Sequence, residues 1–489
     1  MNNELTYEEL KLGEQARDAF LSGASIENIN GKYPIYLNTN TRGGIAGLNT
    51  TDLAIAGILA GIPVLLGGRY GTGKSQLASD IYSYYFNGPK LNDGEAVRID
   101  VNPSTDILDP TQNIYTKYSI ENQNGQLLPK IELSQNVRAL FHFIDEINRT
   151  PTQKQNQFYP QLNGHITHEG QDHEIGHDDY RAIIATANLG NGLYTGTFDF
   201  DPALKNRFGI CIDTNYSMFE PTEDDRGLIS LITEANPGIK SAPKRDITKK
   251  IIEANRQIRQ NSLNLDIYDQ AVLWYLEEGL RTCRKNEAKE AENWFEECRE
   301  CSNNPENPEN NPALCSLIGS PVQRTLQATR KYAVALSYLA RLKNPQVEID
   351  GTDLMFKAFE LTSAYQPFLN PDIEEKYRGH RGKMMADINS KLKEDFMENQ
   401  KYIIAELDHA RNGEKAIFIE PDKKLEKILK MNDNSYHGGT LVLPKEIYDK
   451  LKDNCEIVDP FSSQRNIGLS WVRTRSKLLK ERAKSGSKK

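Results

Sequence analysis

The sequence GGRYGTGKSQLASDIY at residues 67–82 constrains the fold more than any other part of the chain. Between Gly68 and Ser75 it has the spacing of a loop whose bare backbone N–H groups surround phosphate, followed by a lysine, Lys74, for the outer phosphates and a hydroxyl for magnesium. Such a loop joins a buried strand to a helix. The apolar run at residues 53–68 is too short to cross a bilayer, so it predicts a buried helix, a turn and that strand.

Short apolar runs of strand length recur along the first half of the chain. They lie at residues 63–66, 96–101, 140–144, 182–187 and 209–212. Because helical or looped segments separate them, they predict an α/β fold with a parallel sheet covered on both faces. Two β-hairpins are predicted as well. One surrounds Asn124-Gly125 within residues 114–133, and the other lies in GHITHEGQDHEIGHDDY at residues 164–180.

After about Asp224 the apolar residues follow a helical period. Amphipathic helices are predicted at residues 247–259, 267–284, 322–342 and 354–365. A length of 489 residues suggests two or three domains. The predicted organisation is an N-terminal helical segment at 1–46, an α/β core at 47–224, a helical domain at 225–370, and a C-terminal α+β extension with a basic tail at 371–489.

Polar residues end the later strands of the predicted sheet, where ligands of open α/β sheets bind. Asp145 and Glu146 follow the third strand, and Asn188 ends the fourth. A carboxylate pair suits magnesium binding and the activation of water, and an amide suits the orientation of that water. Arg207 precedes the fifth strand, too far round the sheet for its own nucleotide, so it predicts an arginine finger for a neighbouring subunit. Arg324, near a helix start, is placed to close on phosphate from above.

These motifs resemble those of the AAA+ ATPases, specifically the MoxR group that includes CbbQ, NorQ and cobaltochelatase-like relatives. The resemblance rests on GRYGTGKS, HFIDEINRTP, ATANLGNGLYTGTFDFDPALKNRF and GSPVQRT, and covers about residues 47–365. It implies a P-loop sheet core with an all-helical lid. The nucleotide contacts that it implies are Gly68, Gly71, Thr72, Gly73, Lys74, Ser75, Gln76 and Asp145.

The same resemblance implies a role for each polar residue of the predicted site. Ser75 and Asp145 bind Mg²⁺, Glu146 is the catalytic base, Asn188 is sensor 1 and Arg207 is the arginine finger. Arg324 becomes the sensor 2 candidate. In this group the sensor arginine usually follows Ser-Pro directly, whereas two residues intervene here, so Arg330 is the alternative.

The resemblance implies an ATP-hydrolysing ring, typically a hexamer, that acts as a remodelling chaperone or in metal-cofactor insertion, often with a von Willebrand factor A domain partner. Two other functions stay open: a nucleic-acid-associated motor or GTP-dependent restriction subunit, and a scaffold that uses nucleotide only for assembly. A net charge of −8 disfavours nucleic acid, although residues 473–489 form a basic tail. The acidic start of the chain is no secretory signal, so the expected compartment is the cytoplasm.

Two clusters of metal-ligating residue types stand outside this scheme. Cys283, Cys298, Cys301 and Cys315 are candidates for a Zn²⁺ or iron–sulfur site, or are ordinary thiols. Four histidines, at positions 165, 168, 173 and 177, crowd the second hairpin. They suggest either a metal site or, more economically, a solvated loop that faces the pore of a ring.

Overall fold

A computed structural model gives the fold of the chain. It describes residues 4–12, 14–25, 28–29, 45, 47–86, 97–100, 115–123, 126–189, 197–214, 230, 247–280, 317–370, 374–377, 379–411, 417–421, 441–443 and 455–457. The strands are β1 Val64–Gly68, β2 Val97–Asp100, β3 Thr116–Gln123, β4 Gln126–Leu133, β5 Phe141–Asp145, β6 His165–His168, β7 Gln171–Glu174, β8 Ala182–Asn188, β9 Ile210–Asp213, β10 Ile417–Pro421, β11 Leu441–Leu443 and β12 Cys455–Ile457. The helices are α1 Tyr7–Leu10, α2 Glu14–Leu21, α3 Thr50–Ala60, α4 Lys74–Tyr85, α5 Tyr159–Asn163, α6 Pro202–Lys205, α7 Thr248–Leu263, α8 Ile267–Trp274, α9 Gln323–Lys343, α10 Gly351–Ser363 and α11 Arg381–Arg411.

The predicted sheet forms with five parallel strands in the order β2-β5-β8-β1-β9. Residues that end neighbouring strands lie side by side, since Asp100 pairs with Asp145 and Gly68 pairs with Asn188. All the carboxyl ends therefore meet at one edge of the sheet. The parallel α/β core is confirmed, and its strands fall within a few residues of the apolar runs that predicted them.

Helix α3 lies between the sheet and the helical half of the chain. Its sequence TTDLAIAGILA is apolar on every side, and every residue is buried. The Asn49 side chain caps its start, and the sharp turn at Gly61 leads into β1. Tyr332 in α9 donates a hydrogen bond to the Leu53 carbonyl over 2.9 Å, and Asn255 in α7 donates to Leu59 over 2.8 Å. The predicted helices thus pack directly on the helix that precedes the glycine loop.

Both predicted hairpins are present. Strands β3 and β4 pair from Thr116↔Leu133 to Gln123↔Gln126, while the turn between them lies outside the described residues. Strands β6 and β7 pair over four residues each. The bases of the two hairpins share a small apolar core of Tyr115, Val137, Ile166 and Ile175.

The predicted C-terminal region begins with the long helix α11, which packs against α8 and α10. Farther on, β10 pairs antiparallel with β11 and β12. The basic tail at 473–489 lies outside the described residues. Within the described part of the chain, no helix has the length and apolar character needed to cross a membrane. The three boundaries between the four predicted segments stay predictions.

Candidate functional site

The glycine loop joins β1 to α4, as its sequence predicts. Gly68 has a φ of +140°, and a Cβ there would lie 1.9 Å from Thr214 Oγ1, so both the backbone and the packing require glycine. Gly71 and Gly73 also have positive φ, and Thr72 Oγ1 donates to the Arg69 carbonyl over 3.0 Å. The loop therefore delivers the N-terminus of α4 to the carboxyl edge of the sheet, which favours anion binding.

Lys74 is the first residue of α4, and the residue as a whole is buried, with 7% of its surface exposed. Its Nζ lies 3.1 Å from Gly68 O, 2.5 Å from Arg69 O and 3.3 Å from Asn188 Oδ1. Burial lowers the pKa of Lys74 to about 8, and the carboxylates of Glu146, Asp145 and Asp213 oppose that shift. The lysine ammonium group thus donates to carbonyl groups of the loop, next to the place where phosphate would bind.

Ser75 and Asp145 are brought together by the start of α4 and the end of β5. Ser75 Oγ donates to Asp145 Oδ1 over 2.8 Å. Thr186 Oγ1 in β8 donates to the same carboxylate oxygen over 2.6 Å and accepts from the Glu146 N–H over 2.8 Å. One threonine therefore fixes both members of the acidic pair. Gln76 turns instead to Asp80 of its own helix, over 2.8 Å.

Glu146 has a left-handed backbone with φ +55° and directly precedes the short helical turn at Ile147–Arg149. Asn188 Nδ2 donates to Glu146 Oε1 over 2.8 Å. The Arg149 guanidinium forms an ion pair with the same carboxylate, with Nε 2.5 Å from Oε2. Because Asn188 Oδ1 also faces Lys74, Asn188 bridges the lysine and the glutamate.

Arg207 lies at the edge of the sheet formed by the amino ends of the strands, opposite the carboxyl edge. It precedes β9, whose neighbouring residues Gly209 and Ile210 donate to the carbonyl at the start of β1, Pro63. Its guanidinium stacks on the Tyr159 ring with Cζ 3.5 Å from the ring centroid. Arg324 is exposed in the first turn of α9 and lies close enough that its charge helps lower the pKa of Arg207, after burial as the main cause. The structure thus groups Arg324 with Arg207, whereas Lys74, Ser75, Asp145, Glu146 and Asn188 meet at the other edge.

One family model matches the part of the chain that contains the glycine loop and the acidic pair. Residues 63–208 match the family model of the AAA domain, dynein-related subfamily. Residues 63–208 are therefore an AAA domain with the P-loop fold. A search of the curated proteins gave no match. Among solved structures, a candidate ATPase from Cytophaga hutchinsonii is 14% identical, and the alignment covers 78% of this chain and 95% of that one with a TM-score of 0.46. A similarity of that size carries no argument about function.

The helical half of the chain, which is the predicted lid, contacts the end of β9. Tyr365, just after α10, donates a hydrogen bond to the buried carboxylate of Asp213. Gln366 donates to the Phe208 carbonyl over 3.1 Å. Thr214 Oγ1 in turn lies 3.1 Å from Thr72 Oγ1 in the glycine loop. The lid and the phosphate loop are therefore connected through a single strand end.

Neither cluster of metal-ligating residue types forms a metal site among the residues that the structure describes. His165 and His177 are exposed on the second hairpin, and the rings of His168 and His173 lie 6.4 Å apart. Across the described residues, no group of three histidine, cysteine, aspartate or glutamate side chains is arranged to hold a metal ion. The four cysteines at 283, 298, 301 and 315 lie outside the described residues.

Three residues of the site were not predicted from the sequence: Thr186, Arg149 and Tyr159. Thr186 could have been found, because a strand period of two places it on the same face as Asn188. Arg149 could also have been found, since it lies three residues after Glu146 in a helical turn. Tyr159 has no local signal, because its contact with Arg207 spans 48 positions of chain.

Proposed function

We propose that this AAA domain hydrolyses ATP at a site completed by a neighbouring subunit, and that a MoxR-type ring uses the energy to remodel a partner protein or to insert its metal cofactor. The observation that supports a composite site is the separation of its parts. Lys74, Asp145 and Glu146 meet at one edge of the sheet, whereas Arg207 is held at the other. A ring with head-to-tail interfaces brings these two edges together.

The residues at the carboxyl edge fit an ATP–Mg²⁺ complex. Lys74 binds the outer phosphates. Ser75 Oγ and Asp145 Oδ1 are hard oxygen donors 2.8 Å apart beside the glycine loop, which suits Mg²⁺. When bound, the ion neutralises charge on the phosphate oxygens.

Glu146 is the base that accepts a proton from the attacking water in this proposal. The two carboxylates have different partners and so serve different tasks, since Asn188 donates to Glu146 Oε1 and Ser75 donates to Asp145 Oδ1. The Arg149 guanidinium forms an ion pair with the Glu146 carboxylate and helps to hold it in place. Arg207 from the neighbour stabilises charge on the transferring phosphoryl group, and Arg324 approaches with it.

Replacing Glu146 with Gln tests the assignment of the base. The amide keeps the size of the side chain but accepts no proton, so turnover is expected to fall about 10²- to 10⁴-fold while nucleotide binding is retained. Glu169→Gln, on the exposed tip of the second hairpin, is the matched control and is expected to keep full activity. Hydrolysis of ATP and of GTP is measured in parallel. Unchanged turnover in Glu146→Gln would refute the assignment.

The same variant tests the remodelling function. Because it binds ATP without hydrolysing it, it is expected to keep its client protein bound. Purification of Glu146→Gln with its bound partners is expected to recover a protein, and the MoxR resemblance suggests one with a von Willebrand factor A domain. Size measurement with ATP bound is expected to give a hexamer. Recovery of DNA alone would favour a nucleic-acid motor. Negligible wild-type turnover with any partner would favour an assembly scaffold.

A further inference from the structure

The Arg207 guanidinium is held by neutral groups. It lies face-on to the Tyr159 ring at 3.5 Å, its Nε donates to Asn163 Oδ1 over 3.2 Å, and its Nη1 donates to Ala203 O over 2.6 Å. Within the described part of the chain, no carboxylate forms an ion pair with it. An aromatic face attracts a cation without cancelling its charge, whereas a carboxylate partner would cancel most of it. Asp201 and Arg324 act on the guanidinium through space and in opposite directions, so among the described residues it has no directly bonded counterion.

Tyr159 is itself fixed in position. Its hydroxyl donates to Asp201 Oδ1 over 2.7 Å. The same oxygen caps helix α6 by accepting from Ala203 N over 2.8 Å and Leu204 N over 3.1 Å. The Tyr159 hydrogen bond is the main reason that the pKa of Asp201 is lowered. The ring, the cap and the short helix that leads into Arg207 thus form one hydrogen-bonded unit.

Three other half-buried arginines of the chain are held in a different way. Arg149 is paired with Glu146, and Arg381 is paired with Glu374. Arg181 donates to the carbonyls of Gln161 and Leu162 from inside the protein. Among these four, Arg207 is the one whose guanidinium stacks on an aromatic ring without a carboxylate ion pair in the described part of the chain.

We propose that Tyr159 is a positioning residue that orients the Arg207 guanidinium for the γ-phosphate of the neighbouring subunit, a role that rests on the composite site proposed above. The ring restricts a long, flexible side chain to one direction before the neighbour arrives, so less ordering is needed when the site closes. Tyr159 acts in trans on the neighbour's hydrolysis, although it touches neither nucleotide nor water.

Two substitutions separate the ring from the hydroxyl. Tyr159→Leu keeps apolar bulk but removes the aromatic face, and is expected to lower kcat about tenfold with KM for ATP unchanged. Tyr159→Phe keeps the face and loses only the bond to Asp201, so it is expected to retain most of the activity. Equal losses in both variants would refute the proposed stacking role. Size measurement with ATP shows whether each variant still assembles.

Mixed rings show in which subunit Tyr159 acts. Arg207→Ala mixed one-to-one with Glu146→Gln is expected to regain about a quarter of wild-type turnover, because a quarter of the interfaces join an intact glutamate to an intact arginine. Failure of this control would refute the composite site itself. If it succeeds, Tyr159→Leu mixed with Glu146→Gln is expected to reach about the same quarter. Tyr159→Leu mixed with Arg207→Ala is expected to stay near a twentieth of wild-type turnover, because no subunit then offers a well-positioned arginine.

The opposite pattern would overturn the inference. If Tyr159 served its own subunit's nucleotide, mixing Tyr159→Leu with Glu146→Gln would leave every intact glutamate in a damaged subunit, at about a twentieth of wild-type turnover. Mixing Tyr159→Leu with Arg207→Ala would then give the quarter instead. The mixture with the higher turnover under one hypothesis therefore has the lower turnover under the other. This order does not depend on the stability of the variant alone.

Discussion

His142 leads to a prediction about acid stability. It lies in the middle of β5 with 0% exposure. Its Nε2 donates to the Ala139 carbonyl over 2.8 Å, so its Nδ1 accepts from the Tyr115 hydroxyl over 3.0 Å, and the neutral ring is fully satisfied. Burial lowers the pKa of His142 to about 4, and the positive charge of Arg181 acts in the same direction. Protonation would place an unpaired charge inside the core.

The size of the effect follows from the two pKa values. An unfolded histidine has a pKa of about 6.5, so below that pH the unfolded chain binds a proton that the folded chain does not. The stability contributed by the neutral ring is therefore lost as the pH falls from about 6.5 towards 4. Between pH 7 and pH 5 this group alone costs about 2 kcal/mol of unfolding free energy. A loss of that size is a large part of the stability of a typical domain.

Urea unfolding at pH 7, 6 and 5 measures the loss, with His142→Gln as the reference variant. Glutamine keeps a donor and an acceptor but does not titrate, so groups elsewhere affect both proteins equally. The wild type is expected to lose about 2 kcal/mol more than the variant between pH 7 and pH 5. Hydrogen–deuterium exchange at the imidazole C2 carbon, with exposed His165 as reference, reports the same group directly. Equal slopes of stability against pH in the two proteins would refute the reasoning.

Two further predictions concern Thr186 and Gly164. Thr186→Val removes the hydroxyl that joins Asp145 to the Glu146 N–H, and is expected to cost about 1–3 kcal/mol of unfolding free energy and to lower kcat. Thr186→Ser keeps the hydroxyl and is expected to restore both. Urea unfolding and steady-state hydrolysis measure the two effects, and a serine variant as impaired as the valine variant would contradict the prediction. Gly164→Ala combines φ +87° with a Cβ 2.1 Å from the anchored guanidinium of Arg181, so a loss of about 2–4 kcal/mol is expected. Gly170→Ala, at φ +77° with no atom within 4 Å of its Cβ, isolates the backbone part at about 1 kcal/mol, and equal losses in the two variants would rule out the clash.

The parts of the fold that could be predicted are those specified locally. Strand β8 was predicted within one residue, since six apolar or small residues lie between charged and polar ends. The glycine loop predicted its own strand and helix. Helix α10 begins at Gly351, three residues before its predicted start, because the Asp350 side chain caps it by accepting from Thr352 N and Asp353 N. Helix α8 ends at Trp274 and continues as a π turn over Tyr275–Gly279, which a periodic pattern does not distinguish from a longer helix.

The candidate site was predictable to the extent that strand order was. Once the sheet is parallel, Asp145 and Asn188 must end at the same edge as the glycine loop. The pairing of Glu146 with Arg149 and the stacking of Tyr159 on Arg207 depend on side-chain directions and on distances between separate elements. Those quantities are set by packing, which no single stretch of sequence determines.

Strand β9 gives the proposed ring a direction of communication. It has only four residues, about 13 Å of chain, and pairs with β1 from Val64↔Ile210 to Gly67↔Asp213. Arg207 stands just before its start, and Thr214 touches the phosphate loop just after its end. In the proposed ring, a shift of the loop that moves β9 along its axis would also move the arginine offered to one neighbour. Such a coupling would link each site to the neighbour that receives its arginine and not to the neighbour on the other side.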